Sequence, residues 1–273
     1  MTHSAQGRVP RVTRTEAIVL RHRRLGESDR IVTLLTPGRG KLDAVAKGLL
    51  RPRSRLAGHL EPLTHTEVVL AHGRNLDIVT QAQTVEGFAT LRDDLERLST
   101  GMYLLELADR LTIEHAEADE VYRLLLLALQ RLQLGDGVQL VTRSFELALL
   151  DDTGFRPEWR ECVGCGRALD VTDLAWSPTA GGALCRDCRG RHEDARPIDA
   201  AVVKMLRAIQ EQPYEEAARV RITPELAAGM ERVMHELLRA VAERDLVSAR
   251  FVAAARWASA AAGQPREDRS GEQ

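Results

Sequence analysis

The sequence is short of aromatic residues: Trp, Tyr and Phe make up 4% of its 273 residues, and none occurs before Phe88. An N-terminal third without rings cannot hold nucleic-acid bases by stacking on aromatic platforms. Long apolar runs are also missing. The longest, "LLLLAL" from Leu124 to Leu129, lies between Arg123 and Arg131 and falls well short of a membrane span. The opening "MTHSAQGRVPRV" lacks the apolar core of a secretory signal. Together these absences lead us to expect a cytoplasmic chain with no membrane partner. Catalytic motifs are absent too. "GRGKL" has the look of a phosphate loop, but its glycine spacing is wrong and Leu42 stands where Ser or Thr is needed. "HELLR" begins like a metalloprotease helix, yet Arg239 replaces the second histidine. There is no Gly-x-Ser-x-Gly elbow, and the pairs Asp93-Asp94 and Asp151-Asp152 read as helix ends. No catalytic residue set emerges, and the chain reads as a non-enzyme.

What is present is charge, unevenly spread. The net charge is only -2, but residues 1 to 60 carry 13 Lys or Arg against Glu16, Glu27, Asp29 and Asp43. One end of the chain is therefore strongly basic and the remainder acidic, the distribution expected of a protein that meets a polyanion through one part of its surface.

A length of 273 residues implies two or three domains. The first 85 residues read as five short strands, "TRTEAIVLRH", "DRIVTLLT", "GKLDAVAKG", "THTEVVLAH" and "LDIVTQAQTV". Turn chemistry separates them: Pro37, Gly38 and Gly40 follow the second, and Gly73 and Asn75 follow the fourth. This count suits a small antiparallel barrel of the OB type, with an SH3-like barrel as the alternative. From Phe88 the apolar period changes to that of bundle helices. Ser99 and Asp119 are candidate N-caps, Gly154 a C-cap glycine, and Thr223-Pro224-Glu225 a further helix start. The pattern breaks between Cys162 and Pro197, so an insertion interrupts the helices. The expected division is a barrel over 1–85, helical segments over 86–160 and 197–262 flanking an insertion over 161–196, and a disordered polar tail over 263–273. The last expected helix is "LVSARFVAAARWASAAA".

All the cysteines lie in the insertion: Cys162 and Cys165 in "ECVGCGRAL", Cys185 and Cys188 in "ALCRDCRGR". Paired CxxC knuckles, with Gly164, Gly166 and Gly190 beside them, are the pattern of a tetrahedral zinc site. Disulfides and unconnected free thiols are the alternatives. Four thiolates would fill the coordination sphere of one ion per chain, leaving no open position for chemistry, so such a zinc is structural. It would hold a segment too small for a core of its own, with roughly 10–16 kcal/mol available in zinc-finger peptides. His192 nearby reads as a solvated loop residue.

The basic residues concentrate in "GRGKLDAVAKGLLRPRSRLAGH", residues 38–59. Strand alternation sets Lys41, Asp43, Val45 and Lys47 on one face, expected to look outward, and Leu42, Ala44 and Ala46 on the other. In "RPRSR" the proline excludes helix, so Arg51, Arg53 and Arg55 project from an extended loop. Their planar forks suit phosphate oxygens. Arg30 and the Arg21–Arg24 run, Arg24 included, extend the patch from neighbouring strands. A charged loop kept for solubility is the plainer alternative.

The stretch "GESDRIVTLLTPGRGKLDAVAKGLLRPRSRL" resembles the N-terminal signature of the RecO recombination mediators of bacterial DNA repair, through Gly-Glu-Ser-Asp, the following strand, the glycine turn, "AKG" and the basic Ser-Arg loop. The layout of the whole chain is similar to that family, which joins an OB barrel to a helical domain that in many members carries an inserted four-cysteine zinc site. The resemblance implies binding of single- and double-stranded DNA, contact with the acidic tail of single-strand-binding protein (SSB), association with RecR, assistance to RecA loading, strand annealing, and a place at the nucleoid. Carried onto this sequence, the DNA-facing positions are Arg39, Lys41, Lys47, Arg51, Arg53 and Arg55. Without aromatics in the barrel, backbone electrostatics should dominate. An SSB tail would need an apolar groove with a basic rim, for which Arg123, Arg131 and Arg143 are candidates. A zinc-ribbon and OB-containing RNA-binding or transcription factor is the alternative function, and a metal-dependent hydrolase a third.

Overall fold

The computed structural model describes residues 12–169 and 174–242. The segments 1–11 and 243–273, which include the last expected helix and the polar tail, lie outside the described residues.

Strands β1 (Val12–Leu25), β2 (Asp29–Thr36), β3 (Gly40–Ala46), β4 (His65–Ala71) and β5 (Asp77–Glu86) close into a five-stranded barrel in the order β1-β2-β3-β5-β4. Strand β1 is long enough to pair with both β2 and β4, with an irregularity between Val19 and Arg21 where it passes from one partner to the other. A short parallel contact of β3 with β5, at Ala44 and Val45, closes the barrel. This is the OB-type arrangement. Its interior is filled by Val19, Val32, Leu34, Leu42, Ala44, Ala46, Val68 and Leu70, the inward members of each alternating strand.

The chain then forms α1 (Ala89–Arg92), α2 (Leu95–Leu111), α3 (Asp119–Leu134) and α4 (Val138–Asp152). The N-cap of α2 is Asp94, whose carboxylate accepts from the N–H groups of Glu96 and Arg97, not the expected Ser99. Ser99 lies inside the helix and donates to the Glu96 carbonyl. Asp119 opens α3, but its carboxylate serves the barrel, accepting from Gly38 N–H at 2.5 Å. Gly154, at φ +80°, follows the end of α4 as expected. In the insertion β6 (Ala175–Ser177), β7 (Gly182–Leu184) and β8 (Arg196–Pro197) form a three-stranded antiparallel sheet, with a single turn α5 (Arg186–Arg189) between β7 and β8. Helix α6 (Ala200–Glu211), the turn α7 (Tyr214–Ala217) and helix α8, described over 224–242, complete the chain. Thr223 accepts from Leu226 N–H at 3.3 Å at the start of α8.

The barrel is not an independent ball on a tether. Ile18, Leu20, Leu35 and Leu63 from its outer surface share one apolar core with the helices and with Trp159 and Trp176 of the insertion. Gly40 makes the closest approach possible: it sits at φ +61°, and a Cβ there would lie 1.9 Å from the Ala116 carbonyl oxygen. Polar contacts reinforce the seam. The Tyr122 hydroxyl donates to Glu16 Oε2 at 3.0 Å and lies 3.0 Å from His65 Nε2. His115 N–H donates to the Lys41 carbonyl at 2.9 Å.

Candidate nucleic-acid interface and metal centre

The eight basic residues singled out from the sequence separate into two groups at opposite ends of β2 and β3. At the end that meets the helices, Lys41 is 7% exposed. Its ammonium donates to the Asp109 carbonyl and lies 3.3 Å from Asp109 Oδ1. Arg21 Nε reaches the other oxygen of Asp109 at 2.5 Å. The outward face expected for Lys41 is therefore corrected: alternation does set it outside the barrel, but α2 covers that outside surface. Arg39 pairs with Asp77 at 2.7 Å. Burial opposes the Asp77 carboxylate, but Arg39 and His72 outweigh it and hold its pKa below the ordinary value. Both cations are internally neutralised.

At the other end the picture reverses. Arg24 and Arg30 pair across the ends of β1 and β2 beside their turn, and Lys47, Arg51, Arg53 and Arg55 lie on the adjoining β3–β4 loop, Lys47 being about 20 Å from Lys41 along a strand rising about 3.3 Å per residue. None of the six forms an ion pair among the described residues. Asp29 assembles them: its Oδ1 accepts from Gly48 N–H at 2.7 Å, while the Ser28 carbonyl accepts from Leu50 N–H at 3.0 Å. The loop is then folded on itself, with Arg51 N–H donating to the Gly48 carbonyl and Ser54 N–H to the Arg51 carbonyl. Leu49 and Leu60 anchor it in the barrel core. Arg51, Arg53 and Arg55 remain exposed on the outside. The sequence alone does not disclose this role of Asp29, although it is the last residue of the Gly-Glu-Ser-Asp signature. Arg23, in the same run, is held by Asp43, which also accepts from Thr33 at 2.6 Å.

The three arginines suggested for a peptide groove do not share one. Arg123 pairs with Glu120 on an exposed face of α3. The Arg131 guanidinium stacks 3.4 Å from the centre of the Tyr214 ring, a packing contact. Arg143 is 5% exposed and paired with the buried Glu146 at 3.1 Å, beneath a cavity of about 340 Å³ also lined by Tyr103 and His235. Burial raises the Glu146 pKa to about 7 despite Arg143 and the Tyr103 hydroxyl, which donates to it at 2.7 Å.

In the insertion the four cysteine sulfurs lie within 4.8 Å of one another, and none is in a disulfide. Zn–S bonds of about 2.3 Å in a tetrahedron put sulfurs about 3.8 Å apart, and Cys165 Sγ and Cys185 Sγ are 3.9 Å apart. Each knuckle has the same backbone form: Cys165 N–H donates to the Cys162 carbonyl, and Cys188 N–H to the Cys185 carbonyl. Gly164 is packed so closely that a Cβ would stand 3.2 Å from Cys188 Sγ. Burial opposes ionisation of Cys162, but the N–H groups of Cys185 and Gly164 outweigh it and bring its pKa to about 6. Burial and the neighbouring thiols push Cys188 up to about 12, the repulsion among sulfurs that a bound cation relieves. Donor chemistry, spacing and backbone thus all fit a metal ion, with the four cysteines as its ligands.

No helix among the described residues is long and apolar enough to cross a membrane. Residues 11–88 match the family profile for the recombination protein O N terminal, and residues 92–250 that for the recombination protein O C terminal. The chain is 45% identical over 242 residues to the DNA repair protein RecO of Roseiflexus sp. (strain RS-1), covering 89% of this chain and 85% of the relative. It is 40% identical to that of Heliobacterium modesticaldum (strain ATCC 51547 / Ice1) over 87% and 88% of the two chains. With that of Desulforudis audaxviator (strain MP104C) the identity is 42%, over 80% and 86%. The resemblance carried by the barrel signature thus extends through the helices and the insertion, and the chain belongs to the recombination protein O family of DNA repair proteins.

Proposed function

We propose that this protein is a non-enzymatic mediator of DNA repair that holds single- and double-stranded DNA by the phosphate backbone, on the end of the barrel formed by the β1–β2 turn and the β3–β4 loop. The observation that carries this reading is the gathering of Arg24, Arg30, Lys47, Arg51, Arg53 and Arg55 without acidic partners, while Arg39 and Lys41 are spent on Asp77 and Asp109. Loop guanidiniums free of partners suit phosphate, and a barrel without aromatics has no means of reading bases by stacking. Arg39 and Lys41 contribute to the docking of the barrel and to its local field rather than to direct contact. The cysteine site holds zinc structurally. Family membership supports the rest of the reading: recognition of the SSB tail, association with RecR, promotion of RecA loading, strand annealing and a cytoplasmic location at the nucleoid.

The test is annealing of complementary strands coated with intact SSB, or with SSB lacking its acidic tail. Wild-type protein is compared with the R51E/R53E/R55E variant. We expect the variant to lose annealing and wild type to prefer intact SSB. Unimpaired annealing by the variant would overturn the placement of the DNA surface. Indifference to the tail would overturn the partner assignment.

A further inference from the structure

We propose that Cys165 and Cys185 form a peroxide-oxidisable thiol pair, and that their conversion to a disulfide opens the metal site. The inference rests on the metal reading given above. It comes from an asymmetry within the cluster. Cys162 and Cys188 are 1% and 2% exposed and pack with Ala175 and Leu184 in a small core of the insertion. Cys165 is exposed and Cys185 half-buried, and their sulfurs face each other at 3.9 Å across the two knuckles. An oxidant arriving from solvent therefore meets one member of each CxxC, not both members of the same one.

The chemistry balances with hydrogen peroxide as the oxidant. The Cys165 thiolate attacks one peroxide oxygen; an S–O bond forms, the O–O bond breaks, and the departing hydroxide takes a proton from solvent to become water. The Cys185 thiolate then attacks the resulting sulfenic sulfur. An S–S bond forms and the second hydroxide leaves, again protonated by solvent. Two electrons have passed from the sulfur pair to peroxide, with two waters as the by-product. Access selects the first step, and the nearness of Cys185 favours disulfide over further oxidation. Two buried sulfurs remain, too few to complete a tetrahedral site. Because Trp159, Trp176 and Ala183 join the insertion to the shared core, the consequence reaches beyond the knuckles.

The test treats the full-length, zinc-loaded protein with hydrogen peroxide. Metal content is first measured in the untreated protein, released zinc is then followed with a chromophoric chelator, and disulfides are mapped by peptide mass spectrometry after alkylation of free thiols. We expect loss of one zinc per chain together with a Cys165–Cys185 disulfide, reversed by dithiothreitol and added zinc. Zinc-free starting protein would overturn the metal reading on which the proposal stands. Stoichiometric zinc that survives peroxide, or a Cys162–Cys165 or Cys185–Cys188 disulfide as the main product, would overturn the proposal and leave the metal reading intact.

Discussion

Glu146 shows how far one buried side chain can set the pH response of the molecule. It is fully buried, accepts from Tyr103, and pairs with Arg143 on the same helix three residues away. Burial raises its pKa from an ordinary 4.5 to about 7, Arg143 offsetting only part of the cost. The sign follows from proton binding. Between about pH 4.5 and 7 the folded state holds a proton at this carboxyl that the unfolded state has released, so stability declines as pH rises through this window and the contribution is gone above it. We therefore expect Glu146→Gln to flatten the decline, raising the melting temperature at pH 8 relative to wild type while changing little at pH 4.5. The difference in unfolding free energy should be of the order of 1–3 kcal/mol, from about 1.4 kcal/mol for each tenfold change in proton affinity. Chemical denaturation across this range is the measurement, and parallel profiles for the two proteins would refute the role of Glu146. Removing the other partner should do the reverse: Arg143→Ala leaves Glu146 buried with no cation nearby.

The β3–β4 loop is the element on which DNA binding is expected to turn, and its salt dependence is the quantitative signature. If the six free cations neutralise about four phosphates, log affinity for a single strand should fall with log salt at a slope of about -2.8, or about 50-fold between about 50 and 200 mM. R51E/R53E/R55E should flatten that slope on mixed-sequence and homopolymer strands alike, whereas Arg39→Gln should leave it nearly unchanged because Arg39 is already paired with Asp77. Anisotropy titrations across salt decide it, and a steep slope retained by the triple variant would move the interface elsewhere. Much of this element is legible in the sequence. The stretch "DRIVTLLT" is β2 residue for residue, since alternation, the flanking glycines and Pro37 all agree. Alternation also assigns the interior members of β3 correctly. It cannot tell which part of the barrel's outside another element covers, and so the outward face fails for Lys41. The same blindness applies to Arg143: charge on an amphipathic helix reads as solvent-facing, but Arg143 and Glu146, three residues apart, are buried together, the pairing offsetting part of the cost of burial. Ser99 mimics a cap because hydroxyls also bond back along a helix, whereas Asp94, earlier in the chain, carries the stronger acceptor.

At the scale of the whole molecule, the metal site and the helical core are one structural system. Cys162, Cys185 and Cys188 sit in a small cluster with Val163 and Leu184, while the adjoining face of the same insertion contributes Trp159, Trp176 and Ala183 to the core shared with α6 and α8. The two indoles are buried with ring centres 6.5 Å apart, and ion pairs from Arg160 to Glu211 and from Arg196 to Glu236 fasten the rim. A three-stranded sheet of this size cannot stand on its own apolar contacts, so the free energy of a metal bound by the cysteines would also be its folding free energy. Chelation should accordingly expose Trp159 and Trp176, shift tryptophan emission to longer wavelength, and lower the melting temperature of the helical part. The basic stretch of the β3–β4 loop, residues 47–55, is anchored by Leu49 in the barrel's own core and by Asp29, whereas only the far end of the loop, at Leu63, joins the shared core. We therefore expect DNA affinity to change by less than about threefold, under about 0.7 kcal/mol at about 1.4 kcal/mol per factor of ten, under the same chelation that produces the full emission shift. Fluorescence and anisotropy recorded on one chelator-treated sample, then after zinc is restored, make the comparison directly. Parallel loss of emission and DNA binding would mean that the barrel depends on the insertion for its fold, and an unmoved emission spectrum that the metal does not hold the insertion together.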